Sequence, residues 1–174
     1  RKYTWSQVYK RTVKFASALN KIGVSKGDTV SFLAFNTPEI FEGHYSVPMT
    51  GAVLNTINIR LDAKTIAYIL EHSEAKVLVV DRQLHVEVKK ALNTLKRKII
   101  IIDIDDKFAD QSKCEKIGEL EYESFLNTGD ENYNWEMPED EWQALSLSYT
   151  SGTTGNPKGV VYHHRGSYLS LIHI

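Results

Sequence analysis

A single cysteine, Cys114, stands among 174 residues. It leaves no internal disulfide to form, and no Cys/His cluster has zinc spacing, so the chain reads as one for a reducing compartment, with the cytoplasm as the expected location. No apolar run reaches the roughly 18 residues of a membrane-spanning helix, and no signal-peptide pattern opens the chain. Charge of one sign is lacking too. Lys+Arg 21 against Asp+Glu 22 leaves a formal net charge of -1. There is therefore no general drive toward nucleic acid or an anionic membrane, and any anion site has to be local. Internal repeats and low-complexity tracts are absent, while 42% hydrophobic and 25% charged residues is an ordinary globular composition. What remains is one folded domain with a sizeable core, with no nucleic-acid partner and no membrane span expected.

Along the chain, helical and extended patterns alternate. Trp5, Val8, Tyr9, Thr12, Val13, Ala16 and Leu19 recur at helical spacing, with Thr4 and Gln7 placed as a capping box and Gly23 just past the end. An apolar-rich strand follows over Thr29–Phe35, then a helix opened by Thr37 and Pro38 and reaching about Met49. After residues 52–57, Asp62 can cap a helix of ten residues or so, followed by a strand over Lys76–Val80, a helix over Gln83–Leu95 and a strand over Lys98–Ile102. Val77–Val80 and Ile99–Ile102 are continuously apolar, as expected when helices cover both faces of a parallel sheet. The predicted fold class is α/β, a doubly wound, mostly parallel sheet with flanking helices. The acidic stretch from Asp103 to Glu141 reads as a long surface connection with a short helix near Tyr122.

The chemistry concentrates near the end. Ala144–Tyr149 alternates apolar and hydroxyl residues, a strand with one buried face, and Val160-Val161-Tyr162 is a second extended run. Between them, the nine residues from Ser151 to Gly159 hold three glycines, one proline, one lysine and three hydroxyl residues. Gly152, Gly155 and Gly159 allow tight turns and close approach to a ligand, while backbone N–H groups and the hydroxyls of Thr150, Ser151, Thr153 and Thr154 supply donors. Lys158 adds a mobile positive charge suited to phosphate oxygens, and Pro157 restricts the backbone before it. The spacing excludes an ordinary phosphate loop: two residues, not four, separate Gly152 from Gly155, and Gly159 follows Lys158 where Ser or Thr would be needed. The dinucleotide pattern G-x-G-x-x-G is absent as well.

The run Tyr149-Thr150-Ser151-Gly152-Thr153-Thr154-Gly155-Asn156-Pro157-Lys158-Gly159-Val160 resembles the signature of the adenylate-forming, or AMP-binding, superfamily. That superfamily holds acyl-CoA synthetases, peptide-synthetase adenylation domains and luciferases. Tyr3–Val8 resembles its N-terminal helix motif and Met49–Asn55 its small-residue core motif, so the likeness spans nearly the whole chain. His44–Met49 and Val160–Gly166 are most similar to bacterial short- and medium-chain acyl-CoA synthetases, including methylmercaptopropionate-CoA ligases. The resemblance implies that a carboxylic acid, here a fatty acid, attacks the α-phosphorus of Mg-ATP to give acyl-AMP and pyrophosphate. Coenzyme A then displaces AMP. By matching positions, Thr150, Ser151, Gly152, Thr153, Thr154 and Gly155 would cradle the β- and γ-phosphates, next to Gly159. Thr153 and Thr154 would hydrogen-bond their oxygens. Lys158 and Thr153 would be the catalytic pair, Lys158 stabilising the departing pyrophosphate. ATP, Mg2+ and coenzyme A are thus the implied cofactors and co-substrates, and no residue here is assigned as a metal ligand.

The resemblance also bears on the ends. Residues 1–168 match the front part of the family's large N-terminal domain, and the adenine-, ribose- and magnesium-holding motifs and the small C-terminal domain would lie beyond Ile174. The expectation is a piece of a longer enzyme with little activity alone. Residues 169–174 match the translation of a transposase adapter used in sequencing libraries and are read as an adapter-derived tail. Two alternatives stay open: an adenylating enzyme whose second step goes to a carrier-protein thiol or an oxidation, and a nucleotide-binding module without catalysis. His163 and His164, adjacent in a strand, are read as structural or bordering a substrate pocket, and His44 as structural. The Trp5, Val8, Tyr9 stripe is read as core, and Asp103, Asp105 and Asp106 as a solvated turn.

Overall fold

A computed structural model describes residues 2–110, 112–151 and 155–171. Helix α1 (Trp5–Lys21) begins where the capping box places it: the Thr4 hydroxyl accepts the Gln7 N–H, and the Gln7 side chain accepts the Thr4 N–H at 2.8 Å. There follow β1 (Thr29–Leu33), α2 (Pro38–Met49), β2 (Val53–Thr56), α3 (Ala63–His72) and β3 (Ala75–Asp81). After a single tight turn over Arg82–Leu84 come α4 (His85–Leu92), β4 (Ile100–Ile104), β5 (Leu120–Glu121) and α5 (Tyr122–Leu126). The last elements are β6 (Ala144–Thr150), β7 (Lys158–His163) and α6 (His164–Ser170). The helix expected from Gln83 is shorter at both ends. Asp81 accepts the Gln83 N–H at 2.9 Å, which tightens the entry into a 3-10 turn.

The sheet runs β5-β4-β3-β1-β2-β6-β7. Every neighbouring pair is parallel except β6–β7, an antiparallel hairpin on the edge. From the central β1 the chain steps to β2 on one side, then crosses to β3 on the other, which is the reversal that defines a doubly wound sheet. Val30, Phe32, Leu54, Val77 and Val79 enter one core cluster with Phe15, Leu19, Val47, Tyr122 and Phe125, drawn from α1, α2 and α5. Leu33, Leu78 and Val80 enter the second with Ile66, Ile69, Leu70 and Val88 from α3 and α4. Coverage of both faces explains the unbroken apolar runs of β3 and β4.

Three expectations change. The acidic stretch after Asp103 is not wholly a surface connection, because Tyr122, Phe125 and Leu126 are buried, Tyr122 stacking on Phe15 with ring centroids 4.7 Å apart. Short apolar pieces in a charged segment suffice to dock one helical turn. Asp103 is not in a solvated turn: it is 1% exposed and accepts the N–H groups of Ile117 and Gly118 at 2.9 and 3.0 Å. Trp5 and Tyr9 are not core; they are 78% and 54% exposed and, with Val8, border a groove against Phe41, Tyr45 and Met49 of α2. The buried part of that stripe begins later in the helix, at Thr12, Val13, Ala16 and Leu19, with Phe15 beside them.

Candidate functional site

β2 and β6 are parallel neighbours, with Leu54 opposite Ser146 and Asn55 opposite Leu147. Their carboxyl ends therefore open on the same edge, the side on which open α/β sheets take ligands. A cavity of about 490 Å³ lies there. Thr56, Ile57 and Asn58 line it from the end of β2, Leu61, Thr65 and Ile69 from α3 and the turn before it, and the β6–β7 hairpin from the other side.

Thr150 is the last residue of β6 and Ser151 follows it, both exposed, and both line the cavity with Gly155 and Pro157. Gly152, Thr153 and Thr154 lie outside the described residues. Gly155 has φ +152, a conformation that L side chains rarely adopt, and a Cβ there would meet nothing within 4 Å. Glycine is thus required by the backbone and not by crowding. Lys158 opens β7, exposed and directly across the ladder from Thr150, while Gly159 stands across from Tyr149. Strand alternation puts Thr150 and Lys158 on one face of the hairpin and Tyr149 and Gly159 on the other. A Cβ on Gly159 would stand 3.1 Å from Leu147 Cδ1, so its bareness makes room for the leucine, with Tyr149 Cζ in ordinary contact range at 3.5 Å.

Tyr149 makes a contact that no local pattern announces. Its Oη lies 2.8 Å from Nδ1 of His72, 77 residues away, and its ring meets the imidazole edge to face at 5.8 Å. His72 in turn stacks on Tyr68, one helical turn earlier, at 5.3 Å. Burial, then the neighbouring Tyr68 phenol, push the Tyr149 hydroxyl above its usual range against a smaller opposing contribution from Ser73. At neutral pH it stays protonated. β6 is half-buried from Ala144 to Tyr149, instead of alternating as its hydroxyl pattern suggested.

The histidines take local roles. His163 ends β7 and caps α6, its Nδ1 accepting the Gly166 N–H at 2.9 Å, with Trp142 against its ring at 4.7 Å. His164 is the first residue of α6, not a strand neighbour of His163, and burial lowers its pKa. It borders an apolar groove with His44, Tyr45 and Met49. His44 bonds back to the Ile40 carbonyl at 2.8 Å within α2.

The family model described as AMP-binding enzyme matches residues 1–174. The chain belongs to the AMP-binding enzyme family. It is 46% identical over 182 residues to a peroxisomal acetate/butyrate–CoA ligase of Arabidopsis thaliana, covering 99% of this chain and 32% of the relative. An acetate–CoA ligase of Humulus lupulus is 46% identical over 179 residues, covering 97% of this chain and 32% of that protein. A peroxisomal trans-cinnamate:CoA ligase of Petunia hybrida is 45% identical over 185 residues, at 98% and 32% coverage. Among solved structures, an anthranilate CoA ligase in complex with anthranoyl-AMP superposes with a TM-score of 0.86 at 25% identity, covering 98% of this chain and 31% of that one. This AMP-binding chain thus spans about a third of the length of the curated relatives it matches. The expected adenylate-forming resemblance and doubly wound sheet are both shown. No helix among the described residues is long and apolar enough to cross a membrane.

Proposed function

We propose that this chain supplies the phosphate-binding part of an AMP-forming acyl-CoA synthetase acting on a small carboxylic acid. The observation that carries the reading is the β6–β7 hairpin. Its residues Thr150, Ser151, Gly155 and Pro157 line a cavity of about 490 Å³ at the carboxyl ends of β2 and β6, with Lys158 opposite Thr150 at its base. Backbone N–H groups, the hydroxyls of Thr150 and Ser151, and those of Thr153 and Thr154 hold the β- and γ-phosphates of ATP, with Gly152, Gly155 and Gly159 admitting the close approach. A carboxylate oxygen forms a bond to the α-phosphorus while the bond from that phosphorus to the bridging oxygen breaks. Lys158, with Thr153, balances the charge that collects on the departing pyrophosphate, an electrostatic role and not a general-base one. The thiol of coenzyme A then attacks the acyl carbon, giving up its proton as AMP leaves.

Relatives named for acetate, butyrate, 2-methylpropanoate, trans-cinnamate and benzoate support coenzyme A as acceptor and a small acyl group, aliphatic or aromatic, in place of a longer fatty acid. Mg2+ accompanies ATP in this reading. Among the described residues no group of three or more His, Cys, Asp or Glu side chains gathers to hold a metal. In this reading the chain is part of the adenylation domain, and the remaining two thirds of the enzyme complete the site. The lone cysteine keeps the cytoplasm as one placement, and the peroxisomal names of two relatives support a second.

The test is carboxylate-dependent exchange of pyrophosphate into ATP by the complete enzyme. Lys158→Ala should slow it about a hundredfold. An unchanged rate would remove Lys158 from the reaction, and a wild-type enzyme without exchange on any carboxylic acid would remove the function.

A further inference from the structure

We infer that His72 is a positioning residue for ATP activation, holding the base of the phosphate-binding hairpin on α3 through its hydrogen bond to Tyr149. The inference rests on the function proposed above and adds a residue far from the glycine-rich loop.

The hairpin needs an anchor. Pairing of β6 with β2 covers only Ser146 and Leu147, so from Ser148 onward the strand loses its neighbour in the sheet interior. Beyond that point its ladder is with β7, an edge strand whose residues from Lys158 to Tyr162 are exposed. A two-stranded ribbon of this kind is marginal on its own. A small tilt at its base would carry Thr150 and Lys158 together relative to the cavity floor.

Tyr149, one residue before the loop, supplies the missing fixture. Its ring lies beside Gly159 of the partner strand and packs against the second core cluster, while its Oη reaches His72 Nδ1 at 2.8 Å. The anchor at the other end is firm. α3 buries Ile66, Ile69 and Leu70 and is capped by Asp62, whose side chain accepts the Thr65 N–H at 2.8 Å. His72 is itself held flat against Tyr68 at four-residue helical spacing. An aromatic ring that stacks on one neighbour and presents a ring nitrogen to another is what this position asks for. Because Lys158 and Thr150 ride on the anchored hairpin, loosening the anchor should weaken the grip on ATP and leave carboxylic-acid binding alone.

The experiment is steady-state pyrophosphate exchange by the complete enzyme, comparing wild type with His72→Phe, Tyr149→Phe, their double variant and His72→Asn. His72→Phe keeps the stack and deletes the nitrogen, Tyr149→Phe deletes one oxygen, and His72→Asn restores a polar atom where Nδ1 stood. We expect both single variants to raise KM for ATP about threefold to tenfold with KM for the carboxylic acid changed less than about twofold. The double variant should be no worse than the worse single one, and His72→Asn should recover a large part of the loss. A merely structural role would lower the active fraction, and so kcat, without moving KM for ATP. Unchanged KM for ATP, equal shifts for both substrates, or multiplying single effects would overturn the inference. If His72→Phe does not fold, Tyr149→Phe and His72→Asn carry the comparison. A wild type without exchange sinks the function and the inference with it, whereas an active wild type with unaffected variants sinks the role of His72 alone.

Discussion

Arg11 on α1 and Glu42 on α2 form a two-pronged ion pair, Nε to Oε1 at 2.5 Å and Nη2 to Oε2 at 3.2 Å. The same guanidinium reaches Glu123 on α5 at 2.6 Å, and Tyr122 donates its hydroxyl to Glu42 at 2.9 Å. One arginine therefore ties three helices over one face of the sheet. Burial works to lower the Arg11 pKa, but the hydrogen bonds to Glu123 and Glu42 outweigh it and hold the guanidinium above its usual range. Burial likewise pushes the Glu42 carboxyl up, with Arg11 and Tyr122 pulling it back. We take Glu42 as ionised, because three donors point at its two oxygens.

Arg11→Met should destabilise the fold by about 3 kcal/mol, since it leaves the 1% exposed carboxylate of Glu42 without its countercharge. Urea denaturation measures it. A change under about 0.5 kcal/mol would mean that the clamp does not hold the helices.

Asp28 connects the turn before β1 to β3, accepting from Ser25 N–H and from Lys76 Nζ, each at 2.8 Å. Burial alone would raise its carboxyl, but Lys76 and then Ser25 hold it below the usual range. A depressed folded-state pKa gives stability that is present above the unfolded value, about 3.9, and is lost as pH falls through the folded value. Asp28→Asn should cost about 1 kcal/mol at pH 7. The difference from wild type should fade below about pH 4. A difference that persists in acid would point to shape instead of charge.

Gly155→Ala tests backbone conformation alone, because no atom stands within 4 Å of the new Cβ while φ is +152. Pyrophosphate exchange should fall about tenfold or more as the loop adopts another path, with a stability cost of at most a few kcal/mol. Full activity would show that the loop tolerates a second backbone conformation.

Phe15→Ala and Trp5→Ser should separate the buried part of α1 from its exposed first turn. Phe15 is fully buried against Phe32, Tyr122 and Phe125, and its loss should cost about 3–5 kcal/mol. Trp5 is 78% exposed, and its replacement in this chain should cost less than about 0.5 kcal/mol. Comparable thermal midpoints for the two variants would contradict this placement.

Local signals and their limits are visible in particular residues. The capping box at Thr4 and Gln7, the Thr37–Pro38 helix start and the Asp62 cap lie within a few residues of the groups they serve, so the sequence shows where α1, α2 and α3 begin. The apolar runs of β3 and β4 announce two covered faces. The spacing of Gly152, Gly155, Lys158 and Gly159 distinguishes the loop from an ordinary phosphate loop, and the stretch from Tyr149 to Val160 carries the family resemblance, since both rest on neighbouring residues. Helical periodicity placed Thr12, Val13, Ala16 and Leu19 in the core but carried the buried stripe too far toward the start of α1, because Trp5 and Tyr9 lie on the same helical face.

By itself, the sequence determined the alternation of elements, the parallel sheet and the glycine-rich turn, all of which arise from backbone preferences and spacing along one short stretch. Only the tertiary structure decided that Tyr122 and Phe125 belong to the core, that Arg11 ties three helices together, and that Tyr149 rests on His72. These contacts join residues from 31 to 112 positions apart. Such pairs exist only once the sheet order has brought α1 to α5 and α3 to the β6–β7 hairpin, and the energy that selects that order is spread over two buried faces, not written in any local motif.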